Sequence, residues 1–305
     1  MSSTITDPEV LAFIARTDSL YPTDTVDFSI EDQRRVYDRM GEAFRVGYPE
    51  GVQSEDGAFD GPGGAIRYRR YLPANPGPDR VLYLHGGGFV VGGLESHDDV
   101  CAEICAGCNV EVVSVDYRLS PEHVHPAAYD DTVAAVLAFG DKPLILCGDS
   151  AGGNLAGAVA LSHRDRIKAQ VLIYPGLGGH LMGLPSYTER AEAPMLSARD
   201  LAFYATIRTG GLPVPTDDPT FAPMVETDLS GVPPCFVTTA EHDPLRDDGP
   251  EWARRLQAAG VAAEAVVEPE LPHGHLRARH MARRAGDAFQ RVQGAIRAFC
   301  DDETP

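Results

Sequence analysis

The sequence has no uninterrupted apolar stretch approaching the roughly 18 residues that mark a membrane-spanning helix, so we expect no membrane insertion. Its first residues lack the basic start and apolar core of a secretory signal peptide, so we expect none here. A signal removed beforehand is left open. The six cysteines among 305 residues are too few for a disulfide scaffold. This scarcity favours a reducing compartment, and we expect a cytoplasmic protein.

Basic residues are also scarce, with 26 Lys and Arg against 45 Asp and Glu and a net charge of −19. Such a charge repels phosphate backbones, so the composition argues against a nucleic-acid partner. Glycine and proline stay below the share typical of low-complexity chains, and 43% of the residues are hydrophobic. We therefore expect a folded, water-soluble protein.

Short apolar runs alternate with helical patterns from about residue 65 onward, and the central runs are almost continuous in Val, Leu and Ile. Such runs are typical of strands buried on both faces of a parallel sheet. We predict strands near 65–72, 80–84, 110–115, 144–147, 169–174, 235–239 and 262–267, and helices near 97–107, 127–138, 151–162, 248–259 and 278–300. The alternation predicts an α/β fold, with helices on both faces of a mostly parallel sheet.

Two segments do not follow this alternation. Residues 1–46 contain an amphipathic helix that Ser29 can cap, and residues 180–225 contain a second predicted helix, at 197–208. An insertion at the second position would lie over the C-terminal edge of the sheet, where open α/β sheets bind ligands. We predict that both segments form a helical cap over the catalytic domain, which spans 47–305.

The segment Gly148–Gly152 has the pattern G-x-S-x-G, directly after a predicted strand and before a helix that begins with small residues. This context is typical of a nucleophile elbow, in which the tight turn exposes a serine hydroxyl at a helix N-terminus. The alternative is a serine that only caps a helix in a glycine-rich turn. We interpret Ser150 as a candidate nucleophile.

The segment His85–Phe89 reads His-Gly-Gly-Gly-Phe and follows another predicted strand. Three consecutive glycines leave backbone N–H groups free to point at a ligand, as an oxyanion hole requires. A flexible loop or a phosphate-binding loop is the alternative. However, the sequence here contains neither the Gly-Lys-Ser/Thr ending of a phosphate loop nor a G-x-G-x-x-G fingerprint.

An acid and a base follow the serine in the order that the elbow fold requires. Asp243 comes just after the strand at 235–239 and precedes a proline, which disfavours helical geometry. His273 lies on a loop after the strand at 262–267. Either residue alone could be a solvated loop residue, but the order Ser150, Asp243, His273 indicates a catalytic triad.

Other titratable residues near the C-terminus compete for these roles. We expect Asp247 to cap the helix that begins near residue 249, and His280 to lie within or at the start of the final helix. His275 is expected to line the pocket entrance or to lie at the surface. The arginines of this region are predicted to form a solvated face of the final helix; they are Arg277, Arg279, Arg283 and Arg284.

Together these motifs resemble the hormone-sensitive-lipase-like (bacterial family IV) carboxylesterases of the α/β-hydrolase superfamily. The matching segments are HGGGF at 85–89, YRLSPEH at 117–123, GDSAGGN at 148–154, DPLRD at 243–247 and PHG at 272–274. They lie within residues 80–300, most of the chain. The resemblance implies an α/β-hydrolase fold with a cap and a small-molecule ester as substrate. It implies no cofactor and no metal, and it leaves a homodimer open.

The resemblance also assigns roles to individual residues. It implies Ser150 as nucleophile, Asp243 as acid and His273 as base, with an oxyanion hole formed by Gly87, Gly88 and Ala151. The sequence departs from the family at His125 and His275, where the family usually has an apolar residue. We therefore expect a serine carboxylesterase that acts on short-chain acyl esters through an acyl-enzyme. An amidase or deacetylase of the same fold is the main alternative.

Two further alternatives belong to other functional classes. Cys101, Cys105 and Cys108 have the spacing of the cluster-binding motif of radical S-adenosylmethionine enzymes. However, the surrounding residues 98–106 are typical of a helix, which would place the first two cysteines on one face. A non-catalytic hydrolase-fold binding protein is the other alternative, and the presence of all three triad residues argues against it.

Overall fold

The structure is a computed structural model that describes residues 4–302. Within that range eight strands form one sheet, in the spatial order β1-β2-β4-β3-β5-β6-β7-β8. The strands are β1 Gln53–Gly61, β2 Gly64–Leu72, β3 Arg80–Leu84, β4 Glu111–Val115, β5 Leu144–Asp149, β6 Ile167–Ile173, β7 Cys235–His242 and β8 Ala263–Pro272. The pairs β1–β2 and β2–β4 are antiparallel, and the remaining pairs are parallel. The mostly parallel sheet of the prediction is confirmed.

The helices of the described range lie before, between and after these strands. They are α1 Pro8–Leu20, α2 Ile30–Phe44, α3 Asp98–Cys108, α4 Ala127–Ala138, α5 Ala151–Ser162, α6 Ser186–Glu189, α7 Ala198–Arg208, α8 Asp248–Ala258 and α9 Arg283–Cys300. Ser29 caps α2 as predicted, because its side chain accepts a hydrogen bond from the N–H of Asp32 at 3.1 Å.

The central strands are buried on both faces because helices cover each side of the sheet. Successive side chains of β3 alternate between two apolar layers, with Leu82 and Leu84 in one layer and Val81 and Tyr83 in the other. The first layer packs against α4, α5 and α8, and the second packs against α3 and α9. This two-sided burial explains why the strand sequences are continuously apolar.

The structure adds two elements that the sequence analysis did not predict and corrects the start of the final helix. The strand β1 was not predicted, because its polar sequence forms an exposed antiparallel edge that buries little apolar surface. The helix α1 was also missed; the side chain of Asp7 caps it by accepting from the N–H groups of Glu9 and Val10. The final helix begins at Arg283 rather than near residue 278, so placing His280 in that helix was wrong.

The cysteine spacing has a structural explanation. Cys101 and Cys105 have no exposed surface, and they pack with Cys108 in the apolar layer between α3, α9 and the sheet. Burial raises the pKa of the Cys105 and Cys108 thiols to about 12. Among residues 4–302, no group of three His, Cys, Asp or Glu side chains is placed to hold a metal ion. No helix in the same range has the length and apolar character needed to cross a membrane.

Residues from both non-alternating segments lie above the C-terminal edge of the sheet. A cavity of about 1200 Å³ is lined there by Thr17 and Tyr21 from the first segment and by Leu201 and Tyr204 from the second. The floor of this cavity contains Ser150. The division of the chain into cap segments and a catalytic domain stays a prediction, and this lining supports it.

Candidate active site

Ser150 lies in a tight turn between β5 and α5. Its backbone has φ 54° and ψ −115°, a conformation that residues with a side chain rarely adopt. The turn is held because the Ser150 N–H donates to the carbonyl of Ile173 at 2.9 Å, and its own carbonyl accepts from the Asn154 N–H at 3.0 Å. The side chain is thereby presented at the N-terminus of α5, facing the cavity.

The two glycines of the G-x-S-x-G motif are required by a close approach of backbones. A Cβ atom at Gly148 would lie 2.5 Å from the carbonyl oxygen of Gly152. A Cβ atom at Gly152 would overlap the carbonyl oxygen of Leu84, the last residue of β3. No other residue type therefore fits either position without moving α5 away from the sheet.

The structure brings the three predicted triad residues together. The Oγ atom of Ser150 lies 2.9 Å from Nε2 of His273, and Nδ1 of His273 lies 2.6 Å from Oδ2 of Asp243. Asp243 has no exposed surface, and its other oxygen accepts from the N–H of Leu245 at 2.9 Å. A continuous chain of hydrogen bonds thus runs from a buried carboxylate to the serine hydroxyl.

The pairing of two adjacent strands positions the acid and the base. In the register of β7 and β8, His242 lies opposite Pro272. Asp243 and His273 are the next residues of each strand, so both leave the sheet side by side at its C-terminal edge. The ring of Tyr174 packs against His273, with a centroid separation of 4.7 Å.

Asp247, the competing acid, points elsewhere. Its Oδ2 atom accepts from the N–H of Ser186 at 2.9 Å, and its Oδ1 atom pairs with Arg246 at 2.7 Å. The prediction that its side chain caps α8 was wrong, since Asp247 occupies the capping position without making the capping hydrogen bond. Its carboxylate instead joins the start of α8 to the segment that contains α6.

The glycine loop after β3 borders the same cavity as Ser150. Gly87 has φ 127° and Gly88 has φ 60°, and a Cβ atom on Gly87 would overlap the carbonyl of Val91. In the described part of the chain, no acceptor takes the N–H groups of Gly87, Gly88 or Ala151. Three unpaired donors near a serine hydroxyl are what an oxyanion hole requires; their catalytic role stays a prediction.

Asp149, a residue that the sequence analysis left without a role, holds this loop in place. Its buried carboxylate accepts from the N–H of Gly86 at 2.8 Å and from the Tyr83 hydroxyl at 2.9 Å, and it lies 3.2 Å from Nε2 of His97. Burial alone would raise the pKa of Asp149, but His97 and the hydrogen bonds hold it well below its usual range. A fixed negative charge thus lies directly beneath the nucleophile turn.

His275 and the neighbouring arginines are not where the sequence analysis placed them. His275 is 2% exposed, its Nδ1 atom donates to the carbonyl of Pro272 at 3.0 Å, and its ring packs edge-on against Tyr174. Arg279 is buried between Asp99 and Glu103, and Arg277 lines the cavity. The prediction of a solvated arginine face was therefore wrong for these two side chains, because the turn before α9 faces inward.

A family model described as the α/β-hydrolase fold matches residues 81–277 of the chain. The chain belongs to this family. Among curated relatives, carboxylesterase NlhH of Mycobacterium tuberculosis (strain ATCC 25618 / H37Rv) is 40% identical over 234 residues, covering 71% of this chain and 72% of that protein. Ethyl acetate hydrolase of Pseudomonas putida is 34% identical over 255 residues, covering 77% of this chain and 79% of that protein.

A solved structure is similar over nearly the whole hydrolase. The hyperthermophilic esterase from the archaeon Pyrobaculum calidifontis superposes with a TM-score of 0.88 at 33% identity, covering 97% of this chain and 99% of that one. The predicted membership of the hormone-sensitive-lipase-like carboxylesterases is confirmed, and the hydrolase is a carboxylic ester hydrolase.

In the hydrolase, Arg208 joins the second cap segment to the two glycine-rich motifs. Its guanidinium lies between the rings of Phe89 and Phe221, at 3.7 and 4.1 Å from their centroids. It also donates to Oδ1 of Asn154 and to the carbonyl of Phe221, both at 3.2 Å. Burial lowers the pKa of Arg208 to about 9. The end of α7 is thus tied to the HGGGF loop and to α5.

His125, a departure from the family pattern, makes a second connection to the same segment. Its ring packs edge-on against Phe221 with a centroid separation of 5.2 Å, a contact that an aromatic residue at this position would also make. Its Nε2 atom lies 3.0 Å from Oδ2 of Asp218. The substitution therefore keeps the aromatic contact and adds a polar one.

Two buried histidines make the stability of the hydrolase depend on pH. Burial is the main cause that lowers the pKa of His85 and of His275 from 6.5 to about 4. Below pH 6.5 the unfolded chain binds protons that the folded protein excludes. The free energy of unfolding therefore decreases as the pH is lowered from about 6.5 to 4.

We expect His275→Gln to reduce this pH dependence. Because one excluded proton is removed, the loss of unfolding free energy between about pH 7.5 and 5 should shrink by about 2 kcal/mol. Urea unfolding at both pH values measures it, with the exposed His123→Gln as the matched control. An equal pH dependence in the wild type and His275→Gln would contradict the assignment.

Proposed function

We propose that this chain hydrolyses short-chain acyl esters through a covalent acyl-enzyme formed on Ser150. One observation carries the proposal: the unbroken series of hydrogen bonds from Asp243 through His273 to Ser150, at 2.6 and 2.9 Å, opens into a cavity. Serine, a base and an orienting acid in this arrangement are the requirements of nucleophilic acyl transfer.

In the proposed mechanism, each residue has one step. Because Nδ1 of His273 donates to Asp243, its Nε2 atom is free to accept the Ser150 proton as the oxygen attacks the ester carbonyl. The N–H groups of Gly87, Gly88 and Ala151 receive the negative charge that forms on the carbonyl oxygen. His273 then protonates the leaving alcohol, and a water molecule, activated in the same way, releases the acid.

Relatives and cavity both support a small ester as substrate. The names of two relatives given above refer to carboxylic esters, one of them to ethyl acetate. Residues of α1 and α7 cover the cavity, which favours soluble esters over a lipid surface. We also keep the prediction of a cytoplasmic location, which is supported by the absence of any disulfide among the six cysteines.

A panel of p-nitrophenyl esters tests the proposed function and its substrate range. Acyl chains of roughly two to six carbons should be hydrolysed faster than long ones, because the cap limits the acyl site. The matched p-nitroanilide of the best acyl group measures amide hydrolysis. Faster turnover of emulsified long-chain triglycerides than of butyrate esters would contradict the assignment, and preference for the anilide would favour an amidase.

Ser150→Ala should remove essentially all ester hydrolysis without unfolding the protein, because no other group can form the acyl-enzyme. A fluorophosphonate probe should label the wild type at Ser150 alone. Ser162→Ala, at the exposed end of the same helix, is the matched control and should retain full turnover. Labelling at another residue, or turnover by Ser150→Ala, would refute the nucleophile.

Asp243→Asn should lower kcat by ~10⁴, the scale observed when a triad histidine loses the acid that fixes its tautomer. Asp247→Asn removes a charge that is paired with Arg246 but keeps an oxygen that can accept from Ser186. The kcat of this variant should therefore stay within about tenfold of the wild type, ~1.4 kcal/mol of barrier. Measuring kcat of both variants on one soluble ester decides between them. If Asp247→Asn is the more damaging change, the roles of the two carboxylates must be exchanged.

A further inference from the structure

Arg277 is a cation without a carboxylate partner in the wall of the active-site cavity. Its Nη2 atom donates to the hydroxyl of Tyr37, and its guanidinium lies over the ring of Tyr37, 4.8 Å from the centroid. Within residues 4–302, no carboxylate reaches it at ion-pair distance, and its other guanidinium N–H groups have no acceptor. Arg277 therefore has unused hydrogen-bond donors at the cavity surface.

The other arginines that line this cavity have their partners. Arg199 pairs with Asp27, and Arg208 is enclosed between two rings while it donates to Asn154 and to Phe221. Most basic residues of this acidic chain find a carboxylate, as the 45 acidic against 26 basic residues would predict. Arg277 differs from these two because some of its donors have no acceptor, and burial of such groups without a partner is costly.

Arg277 lies beside the loop that carries His273. A Cβ atom at Gly274, the residue after the base His273, would lie 3.1 Å from Nη1 of Arg277. Ser150, Gly274 and Arg277 line one cavity. An ester held at the serine could therefore place a second functional group against the guanidinium.

The surroundings of Arg277 suit an anion. The Tyr37 oxygen accepts from Arg277, which leaves its own O–H free to donate, and Tyr21 packs edge-on against Tyr37. Burial disfavours the charge of Arg277, but the neighbouring Tyr37, Tyr174 and Asp149 outweigh it and raise its pKa, so it stays charged. Asp149 is already held by His97, Tyr83 and Gly86. Of the other acidic residues of the cavity wall, Asp18 and Glu192 are exposed to solvent. The part-buried Asp200 accepts from the N–H and the hydroxyl of Ser197, both at 2.7 Å.

We propose that Arg277, with the hydroxyl of Tyr37, forms a subsite for a carboxylate, so that the preferred substrates are esters that carry a free carboxylate in addition to the scissile ester. This inference rests on the proposed ester hydrolysis and narrows its substrate class. A planar guanidinium beside a hydroxyl donor matches the two oxygens of a carboxylate. The carboxylate can belong to the acyl part or to the alcohol part of the ester.

Two matched substrate pairs test the subsite and distinguish these two sources. In the first pair, monoethyl adipate carries the carboxylate on the acyl part, and ethyl hexanoate is its neutral counterpart. In the second pair, 4-acetoxybenzoate carries the carboxylate on the alcohol part, and 4-acetoxybenzamide is its neutral counterpart. The wild type should show a higher kcat/KM for the carboxylate member of at least one pair at about 0.15 M salt, where surface charges are largely screened. A preference for the neutral member in both pairs overturns the subsite.

Variants of Arg277 separate binding from a structural role. Arg277→Gln should lower kcat/KM for the carboxylate ester by about 10- to 100-fold, the effect of one charged hydrogen bond. The same variant should change kcat/KM for the neutral ester by no more than about threefold. Arg277→Lys should keep part of the preference. Arg283→Gln, an exposed residue with the same change of net charge, is the matched control and should leave the preference intact. Equal losses on both substrates would show that Arg277 is structural and overturn the subsite.

Product inhibition gives a second measurement, which does not need a folded Arg277 variant. The carboxylate product of the preferred pair, adipate or 4-hydroxybenzoate, should inhibit hydrolysis of a neutral ester competitively, and Tyr37→Phe should weaken that inhibition. Absence of inhibition at millimolar product overturns the subsite. If the wild type hydrolyses neither member of either pair, the proposed function itself fails. In that case, binding of 4-hydroxybenzoate to the wild type by calorimetry, lost in Arg277→Gln, still decides the subsite, and no binding overturns it.

Discussion

The arrangement of the site depends on one close approach, that of the N-terminus of α5 to the end of β3. At Gly152 the backbone of the helix comes so near the carbonyl of Leu84 that no side chain fits between them. This approach places Ser150 in its uncommon backbone conformation and brings the proposed nucleophile beside the loop that follows Leu84. The serine and the proposed oxyanion donors are therefore fixed by the same contact, and neither can move without the other.

Short sequence motifs predicted those parts of the site whose geometry depends on neighbouring residues in the chain. The glycines around Ser150, the three glycines after β3, and the order of acid and base each reflect a backbone geometry that few residue types satisfy. The pairing of His242 with Pro272 then explains why Asp243 and His273 meet. The continuous apolar runs predicted the central strands for a similar reason, because burial on both faces leaves no position for polar residues.

The residues that sequence reasoning misplaced have partners far away in the chain. Arg279 is buried because Asp99 and Glu103 of α3 compensate its charge. Arg277 is part-buried because one face of its guanidinium packs on the ring of Tyr37 in α2. Nothing near these arginines in sequence indicates such partners, so a solvated helix face was the simplest interpretation. The edge strand β1 was missed for a different reason: its stability comes from pairing with β2 rather than from apolar burial.

The pairing of β7 with β8 has a consequence for how this protein can change through evolution. The acid and the base each follow directly on a paired residue, so their separation is set by the spacing of neighbouring strands, ~4.8 Å, and not by the length of any loop. Insertions or deletions beyond Leu245, whose N–H still contacts Asp243, or in the turn between Gly274 and α9 would leave this pair in place. These two segments can therefore vary in length and reshape the cavity while the reacting groups keep their geometry.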